Sequence, residues 1–367
     1  VKVLFVVNDL SRAGAEKQLT LLACGLKSIG WSTSIVVIKE RNDFAEPLGA
    51  AAIAVTPLRR RGPLDMGVVS RLRRVVRQTA PDAVVSFLFF ANAITVLASR
   101  RLDPRPKIVL SVRESYQRNL HPALRFAGRL SHLGADLVLC NSEAVLREEQ
   151  AAFPRARHLA YLPNAVPPLS VAPFDWSTLG IQPGSVVVSV GQLAPVKGHR
   201  ILVEAFANVT RVNPAAHLVI VGEGPERDGL QALAAGLGLR DRITFAGHQA
   251  DALRYVAAAD VFVQPSRSEG MSNSLMEAMA LGRSIVATRV GAAADLIEDG
   301  REGLLTTPTA PGLSAALIQS LADRDLRERL GRAAHRKAGE FSVDRTVSGL
   351  DRILRDLVFG STPDPGS

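Results

Sequence analysis

The sequence predicts an α/β protein of two Rossmann-like, doubly wound domains facing a cleft. Three observations lead there. Short runs apolar on both faces alternate with helical stretches, as parallel strands covered on both sides require. This alternation occurs twice, on either side of a proline-rich stretch. The length, 367 residues, is about twice that of a usual domain.

The elements follow in order. "VKVLFVV" at the start reads as a buried strand. It lacks the basic region, long apolar stretch and small-residue cleavage site of a signal peptide. The strand candidates "STSIVVI", "AIAVTPL", "DAVVSFL", "KIVLSV" and "ADLVLCNS" come next. Between them lie periodic segments such as "AEKQLTLLACGLKSIG" and "MGVVSRLRRVVRQTA". From Tyr161 to Gly184 the rhythm breaks at Pro163, Pro167, Pro168, Pro173 and Pro183, the mark of a linker. A second series contains "SVVVSVGQL", "HLVIVGEG", "RITFAGH", "DVFVQPS" and "SIVATRV". The expected domains are therefore residues 1–168 and 169–342. An amphipathic helix over 343–360 is expected to pack back on the first domain, ahead of a frayed tail. Ligands of such sheets bind beyond the carboxyl ends of the strands.

Composition narrows the class. The chain is 47% hydrophobic with few aromatic residues, which suits a soluble protein with ample core. No apolar run approaches the ~18 residues of a membrane-spanning helix. Cys24 and Cys140 have no metal-ligand spacing and read as reduced core thiols of a cytoplasmic protein. The histidines are scattered, so no metal site is expected.

Charge is uneven. Residues 1–170 hold 24 Lys+Arg and 13 Asp+Glu, net +11, against −2 for the remainder. Arg59, Arg60, Arg61, Arg71, Arg73, Arg74 and Arg77 crowd one stretch. Arg100, Arg101, Arg105, Lys107, Arg118, Arg125 and Arg129 follow. A solvated surface is one reading. The preferred one is docking to anionic lipid headgroups at the inner face of the cell membrane, each basic residue contributing about 1 kcal/mol. Nucleic acid is disfavoured, since few aromatics are interleaved.

The chemistry concentrates in "SEGMSNSLMEAMALG". Glu269 follows a buried strand, and Gly270 allows close backbone approach. Ser272, Asn273 or Ser274 can cap the next helix, whose N-terminus suits an anion. Glu277 lies one or two turns in, within reach of ligand hydroxyls or simply solvated. A phosphate group flanked by two polyols describes a nucleotide diphosphate-sugar. "VGQLAPVKG" presents Lys197 ahead of a helix, where it can neutralise a leaving diphosphate or serve as an ordinary surface lysine. "VGEGPERDGL" ends a strand at Gly222 and Gly224, with Pro225 starting a helix, and "NDLSRAGAEKQL" places Gly14 in the first strand-to-helix turn. His248 ends a strand, near a nucleobase or merely in a turn.

Together "RAGAE", "CNSEAV", "YLPNAV", "GQLAPVKGH", "VGEGPER", Glu269-x7-Glu277 and "GREGLL" resemble the family-4 glycosyltransferases of the GT-B fold, over nearly the whole chain. The resemblance implies a retaining hexosyltransferase that moves a sugar from an NDP-sugar, UDP favoured, held mainly by the C-terminal domain. The acceptor would be a glycan or a polyprenyl-diphosphate-linked lipid in bacterial surface polysaccharide or glycoconjugate synthesis. Glu269 matches the glutamate that touches the transferred sugar, Glu277 the one that binds ribose, and Lys197 the lysine on the diphosphate. The implied donor site is Gly14, Gln192, Lys197, Glu223, Gly224, His248, Glu269, Gly270, Met271, Ser272, Asn273 and Glu277. Catalytic roles would fall to Glu269, Lys197 and Arg113, with no cofactor and no metal.

Three departures stand out. Gln192 replaces the family's usual arginine, removing one phosphate cation. Ser284 replaces a proline in "GRSIVA", a structural change. Arg113 and Glu114, in "LSVRES", stand where many members place a histidine; Arg113 faces donor or acceptor, or is a capping or surface residue. Rival functions are a sugar-nucleotide epimerase and a non-catalytic NDP-sugar-binding protein. A dehydrogenase is disfavoured, because neither half has G-x-G-x-x-G after its first strand.

Overall fold

The computed structural model describes residues 1–62, 65–113, 128, 131–153 and 158–360. Glu114, Arg118, Arg125 and Arg129 lie outside these residues. Two compact units divide the chain: Val1–Pro167 with Ser342–Ser367, and Pro168–Phe341.

The first unit is a parallel sheet of β1 (Lys2–Val7), β2 (Ser32–Val37), β3 (Ala54–Pro57), β4 (Ala83–Phe87), β5 (Lys107–Val112), β6 (Leu137–Cys140) and β7 (Leu159–Tyr161). Its order is β3-β2-β1-β4-β5-β6-β7. The helices are α1 (Gly14–Ser28), α2 (Ala45–Ala50), α3 (Gly67–Thr79), α4 (Phe89–Ser99) and α5 (Glu143–Ala152). Strand β1 shows why both faces are apolar. Val3, Phe5 and Val7 enter one core with Leu19, Leu22 and Leu26 of α1. Leu4 and Val6 enter another with Val68, Leu72 and Val76 of α3. The terminal helix Val343–Phe359 lays Val347, Leu350 and Leu354 into the α1 core. Asp351 on this helix accepts a bond from Trp31 Nε1 at 2.6 Å. Each buried side chain of this size stabilises by about 1.5–3 kcal/mol.

The basic stretch is less free than its sequence suggests. Arg59 pairs with Glu40 at 3.1 Å, and Arg71 with Asp65 at 2.5 Å. Arg60 lies 4.0 Å over the Phe90 ring. Arg73 donates to the carbonyls of Ala98 and Leu97, both at 3.0 Å, joining α3 to α4. Arg105 pairs with Asp136 at 3.2 Å. Arg74 and Arg77 project from the exposed side of α3, and Arg100 and Arg101 are exposed just after α4. Arg59, its side chain 72% exposed despite the ion pair, and Arg61 are open too.

The second unit contains β8 (Val186–Val190), β9 (His217–Val221), β10 (Ile243–Gly247), β11 (Val261–Gln264), β12 (Ser284–Thr288) and β13 (Leu304–Thr306), all parallel. Their order is β10-β9-β8-β11-β12-β13. Helices α6 (His199–Val212), α7 (Arg227–Gly236), α8 (Ala252–Ala258), α9 (Asn273–Ala280), α10 (Ala293–Leu296), α11 (Ala310–Ala322) and α12 (Arg324–Ala338) complete it. Helix α7 begins at Arg227, two residues later than the proline suggests. The linker folds onto this unit through aromatic contacts. Phe174 stacks on Tyr255 at 4.2 Å, and Trp176 Nε1 donates to the Ala258 carbonyl at 2.9 Å. Ser284 is buried and shares a 3.0 Å hydrogen bond with Ser320, a structural use of the residue that replaces proline.

Strand order reverses between β8 and β11, the switch point at which doubly wound sheets bind ligands. The two strands pair only at Val187↔Val261 and Val188↔Phe262. Their ladder stops before their carboxyl ends, and the loops leaving those ends hold Lys197 and Glu269.

Candidate active site

The loop after β8 ends in a 3₁₀ turn, Pro195–Lys197, and Gly198 then starts α6 with φ 70°. A side chain at Gly198 would strike the Pro265 carbonyl oxygen. Only glycine permits both the backbone angle and this approach. The turn therefore rests directly on the loop after β11, and Arg267 N–H donates to the Val196 carbonyl at 2.8 Å.

This contact brings two residues 72 positions apart together: Lys197 Nζ lies 2.6 Å from Glu269 Oε1. Ser266 Oγ donates to the same oxygen at 2.8 Å. The Glu269 side chain is 9% exposed and that of Lys197 28%. Ser266 is held in turn, because Thr288 Oγ1 at the end of β12 donates to its carbonyl at 2.5 Å. On the far side Gly291, φ 52°, packs so closely on the Glu269 carbonyl that a Cβ would collide. Ala292 N–H donates to the Gly270 carbonyl at 2.9 Å. The loop carrying Glu269 is thus fixed from β8, β12 and the segment after β12.

Of the three candidate caps, Ser272 caps α9, accepting from Leu275 N–H at 3.4 Å. Gly270, Met271 and Ser272 are buried, while Asn273 and Glu277 are half-buried. Glu277 lies in the second turn. The positive end of the α9 dipole therefore follows four residues after Glu269.

Three backbone bonds join the loops beyond β8, β9 and β10. Gly191 N–H donates to Val221 at 3.0 Å, Leu193 to Glu223 at 2.9 Å and Gly222 to Gly247 at 2.8 Å. They bring Gln192, Glu223, Gly224 and His248 to the same end of the sheet as Lys197. Gln192 and His248 are exposed. The Glu223 carboxylate pairs with Arg227 one helical turn on. His199, first residue of α6, is 1% exposed. Burial, with help from the Lys197 charge, lowers its pKa to about 4, so its imidazole is neutral near pH 7.

In the first unit Gly14 opens α1 behind Ala13, which supplies no side-chain cap. Arg113 is 8% exposed, which removes the surface reading. Its Nε donates to Ser111 Oγ at 2.9 Å and its Nη1 to Asn164 Oδ1 at 2.5 Å. The guanidinium lies 4.6 Å from the Phe87 ring centre. The adjoining Ala165 is gripped by Gln18 through bonds of 2.9 and 2.6 Å. Glu16 is buried nearby in sequence, and desolvation raises its pKa.

Sequence reasoning missed Ser266, Thr288, Gln18 and Asn164. Each lay within a stretch already singled out, Asn164 in "YLPNAV", Gln18 in "NDLSRAGAEKQL", Ser266 in "DVFVQPS" and Thr288 in "SIVATRV", but nothing local marked the side chain itself. Among the described residues no three His, Cys, Asp or Glu side chains converge to hold a metal ion. The arrangement offers an ammonium, a fixed carboxylate and a helix N-terminus at one switch point, a set suited to a phosphate group bonded to a polyol.

Two family models match the chain, one over each half. The family model for glycosyl transferases group 1 matches residues 178–337, and that for Glycosyltransferase Family 4 matches residues 12–168. The lipopolysaccharide core biosynthesis glycosyltransferase LpsE of Rhizobium meliloti is 28% identical over 93% of this chain and 95% of its own length. The N-acetyl-alpha-D-glucosaminyl L-malate synthase of Bacillus anthracis is 26% identical over 81% and 80%. Anabaena Alr3699/HepE, solved in complex with UDP-glucose, shares the fold with a TM-score of 0.85, 23% identity and coverage of 97% and 99%.

Proposed function

The chain belongs to the family-4 glycosyltransferases, and from that membership we propose that it transfers a hexose from a UDP-sugar, with retention, to a hydroxyl in glycoconjugate synthesis. The observation that carries this reading is the meeting of Lys197 and Glu269 at the β8/β11 switch point. In the reaction the bond between the anomeric carbon and the β-phosphate oxygen breaks, its electrons staying on that oxygen. The acceptor hydroxyl oxygen bonds to the same carbon, and its proton passes to the departing phosphate. Lys197 and the α9 N-terminus balance the charge that develops there. Glu269 accepts hydrogen bonds from the transferred sugar, and Glu277 from the ribose. Because these cations are built in, no divalent metal is required on this reading.

The relatives support the choice of substrates. The UDP-glucose complex of Anabaena Alr3699/HepE favours a UDP donor, and the Rhizobium relative favours a glycan or lipid-linked acceptor. Arg74, Arg77, Arg100 and Arg101 are exposed cations suited to an anionic membrane holding such a lipid. Among the described residues no helix is long and apolar enough to cross a membrane; the attachment proposed here is electrostatic, through these arginines. A thermal-shift panel of UDP-, GDP- and ADP-sugars tests the donor assignment. Stabilisation by UDP-sugars, lost in Glu277→Ala, is the expected result.

A further inference from the structure

We infer that Glu269 tells donor from spent nucleotide by charge, because it competes with the product diphosphate for Lys197. The inference rests on the reading above, in which Lys197 meets a nucleoside diphosphate.

Glu269 is the fixed partner of the pair. Its carboxylate is 9% exposed and held by Ser266 Oγ at 2.8 Å, and Thr288 pins Ser266 by its carbonyl. Gly291 blocks retreat of its backbone. Lys197 is the mobile partner, 28% exposed, with a flexible stem and three donors. A diphosphate that recruits this ammonium must share it with a carboxylate that cannot swing away.

Donor and product differ at the atom that matters. In an NDP-sugar both phosphates are esterified, and each carries about one negative charge. After transfer the terminal phosphate bears the acceptor's proton, which it releases to water above a pKa of about 6. The spent nucleotide therefore carries roughly one more negative charge, on the phosphate beside Lys197. The sugar hydroxyls that donated to Glu269 have left with the product. One carboxylate thus favours the donor and disfavours the spent nucleotide, which assists release.

The test is calorimetric binding at pH 8 of UDP, UMP and UDP-glucose to the wild type and to Glu269→Gln. The variant should bind UDP about tenfold more tightly, the effect of roughly one charge interaction of 1.4 kcal/mol. UMP, which lacks the terminal phosphate, should bind unchanged, and UDP-glucose no more tightly than before. UDP affinity that is unchanged or weaker in Glu269→Gln overturns the inference while leaving the donor site standing. An equal gain for UMP overturns it too. If the wild type prefers GDP or ADP, the corresponding series is used; if it binds none of the three, the proposed function falls. Glu269→Ala removes the same charge and is read identically should Glu269→Gln fail to fold.

Discussion

Replacing Lys197 with alanine should harm stability and turnover by separable amounts. At 2.6 Å and an effective dielectric of ~20, Coulomb attraction in the pair is about 6 kcal/mol, most of it offset by desolvation of both ions. Exposed pairs net at most about 1 kcal/mol, whereas deleting one partner of a buried pair costs about 3–5 kcal/mol. With side chains 28% and 9% exposed, the pair falls between. Lys197→Ala should therefore lower unfolding free energy by about 2 kcal/mol, leaving Glu269 to Ser266 alone. Turnover should fall by about 10²-fold or more, since charge on the leaving diphosphate grows toward the transition state. Urea unfolding of Lys197→Ala, Glu269→Gln and the double variant separates the effects. The double variant should recover most of the stability lost in Lys197→Ala, a coupling of about 1–2 kcal/mol, but none of the turnover. Additive stability losses would show that the 2.6 Å contact contributes nothing, and normal turnover in Lys197→Ala would remove the lysine from the chemistry.

Other consequences follow from the same structure. Glu277→Ala should weaken nucleotide binding by roughly 1–3 kcal/mol by calorimetry, the cost of lost hydrogen bonds to a charged acceptor; an unchanged affinity returns Glu277 to solvent. Activity should survive EDTA, and abolition by EDTA with rescue by manganese would refute the cation assignment. Sedimentation with anionic vesicles should occur at low salt and reverse at high salt. Neutralising Arg74, Arg77, Arg100 and Arg101 should abolish it without altering UDP affinity, and salt-independent binding would contradict this. The folded-state pKa of His199 lies below its usual 6.5, at about 4, so the unfolded chain binds the extra proton. Its stabilising effect is complete above pH 6.5 and is lost as pH falls to about 4, a total of about 3 kcal/mol. His199→Gln should flatten the stability profile in that window, and an unflattened profile would contradict the assignment.

The fold was legible where physical pattern is strong. Strands buried on both faces, such as Val186–Val190, read as continuous apolar runs. The strands Leu159–Tyr161 and Leu304–Thr306, three residues each, are too short to show a period, and they sit at sheet edges. Helix α4 was hidden because "FLFFANAITVLAS" stays apolar through the end of β4. The break falls at Leu88, φ 72°, an angle no local pattern assigns to leucine. Lys197 and Glu269 were each legible as residues leaving a strand. Their ion pair was not, because it depends on β8 and β11 being neighbours, which strand order decides and sequence distance does not. Arg113 could be singled out, but its clasp on Asn164 joins residues 51 apart and needed the sheet to assemble.

The most direct test follows donor turnover by proton NMR, with a panel of α-linked UDP-, GDP- and ADP-sugars. The enzyme should consume a UDP-sugar, and the sugar transferred, or released by slow hydrolysis, should appear first as the α-anomer. Glu269→Gln and Lys197→Ala should suppress that signal. First appearance of the β-anomer would contradict retention. Wild-type turnover that both substitutions leave intact would show that the chemistry lies elsewhere than the β8/β11 switch point.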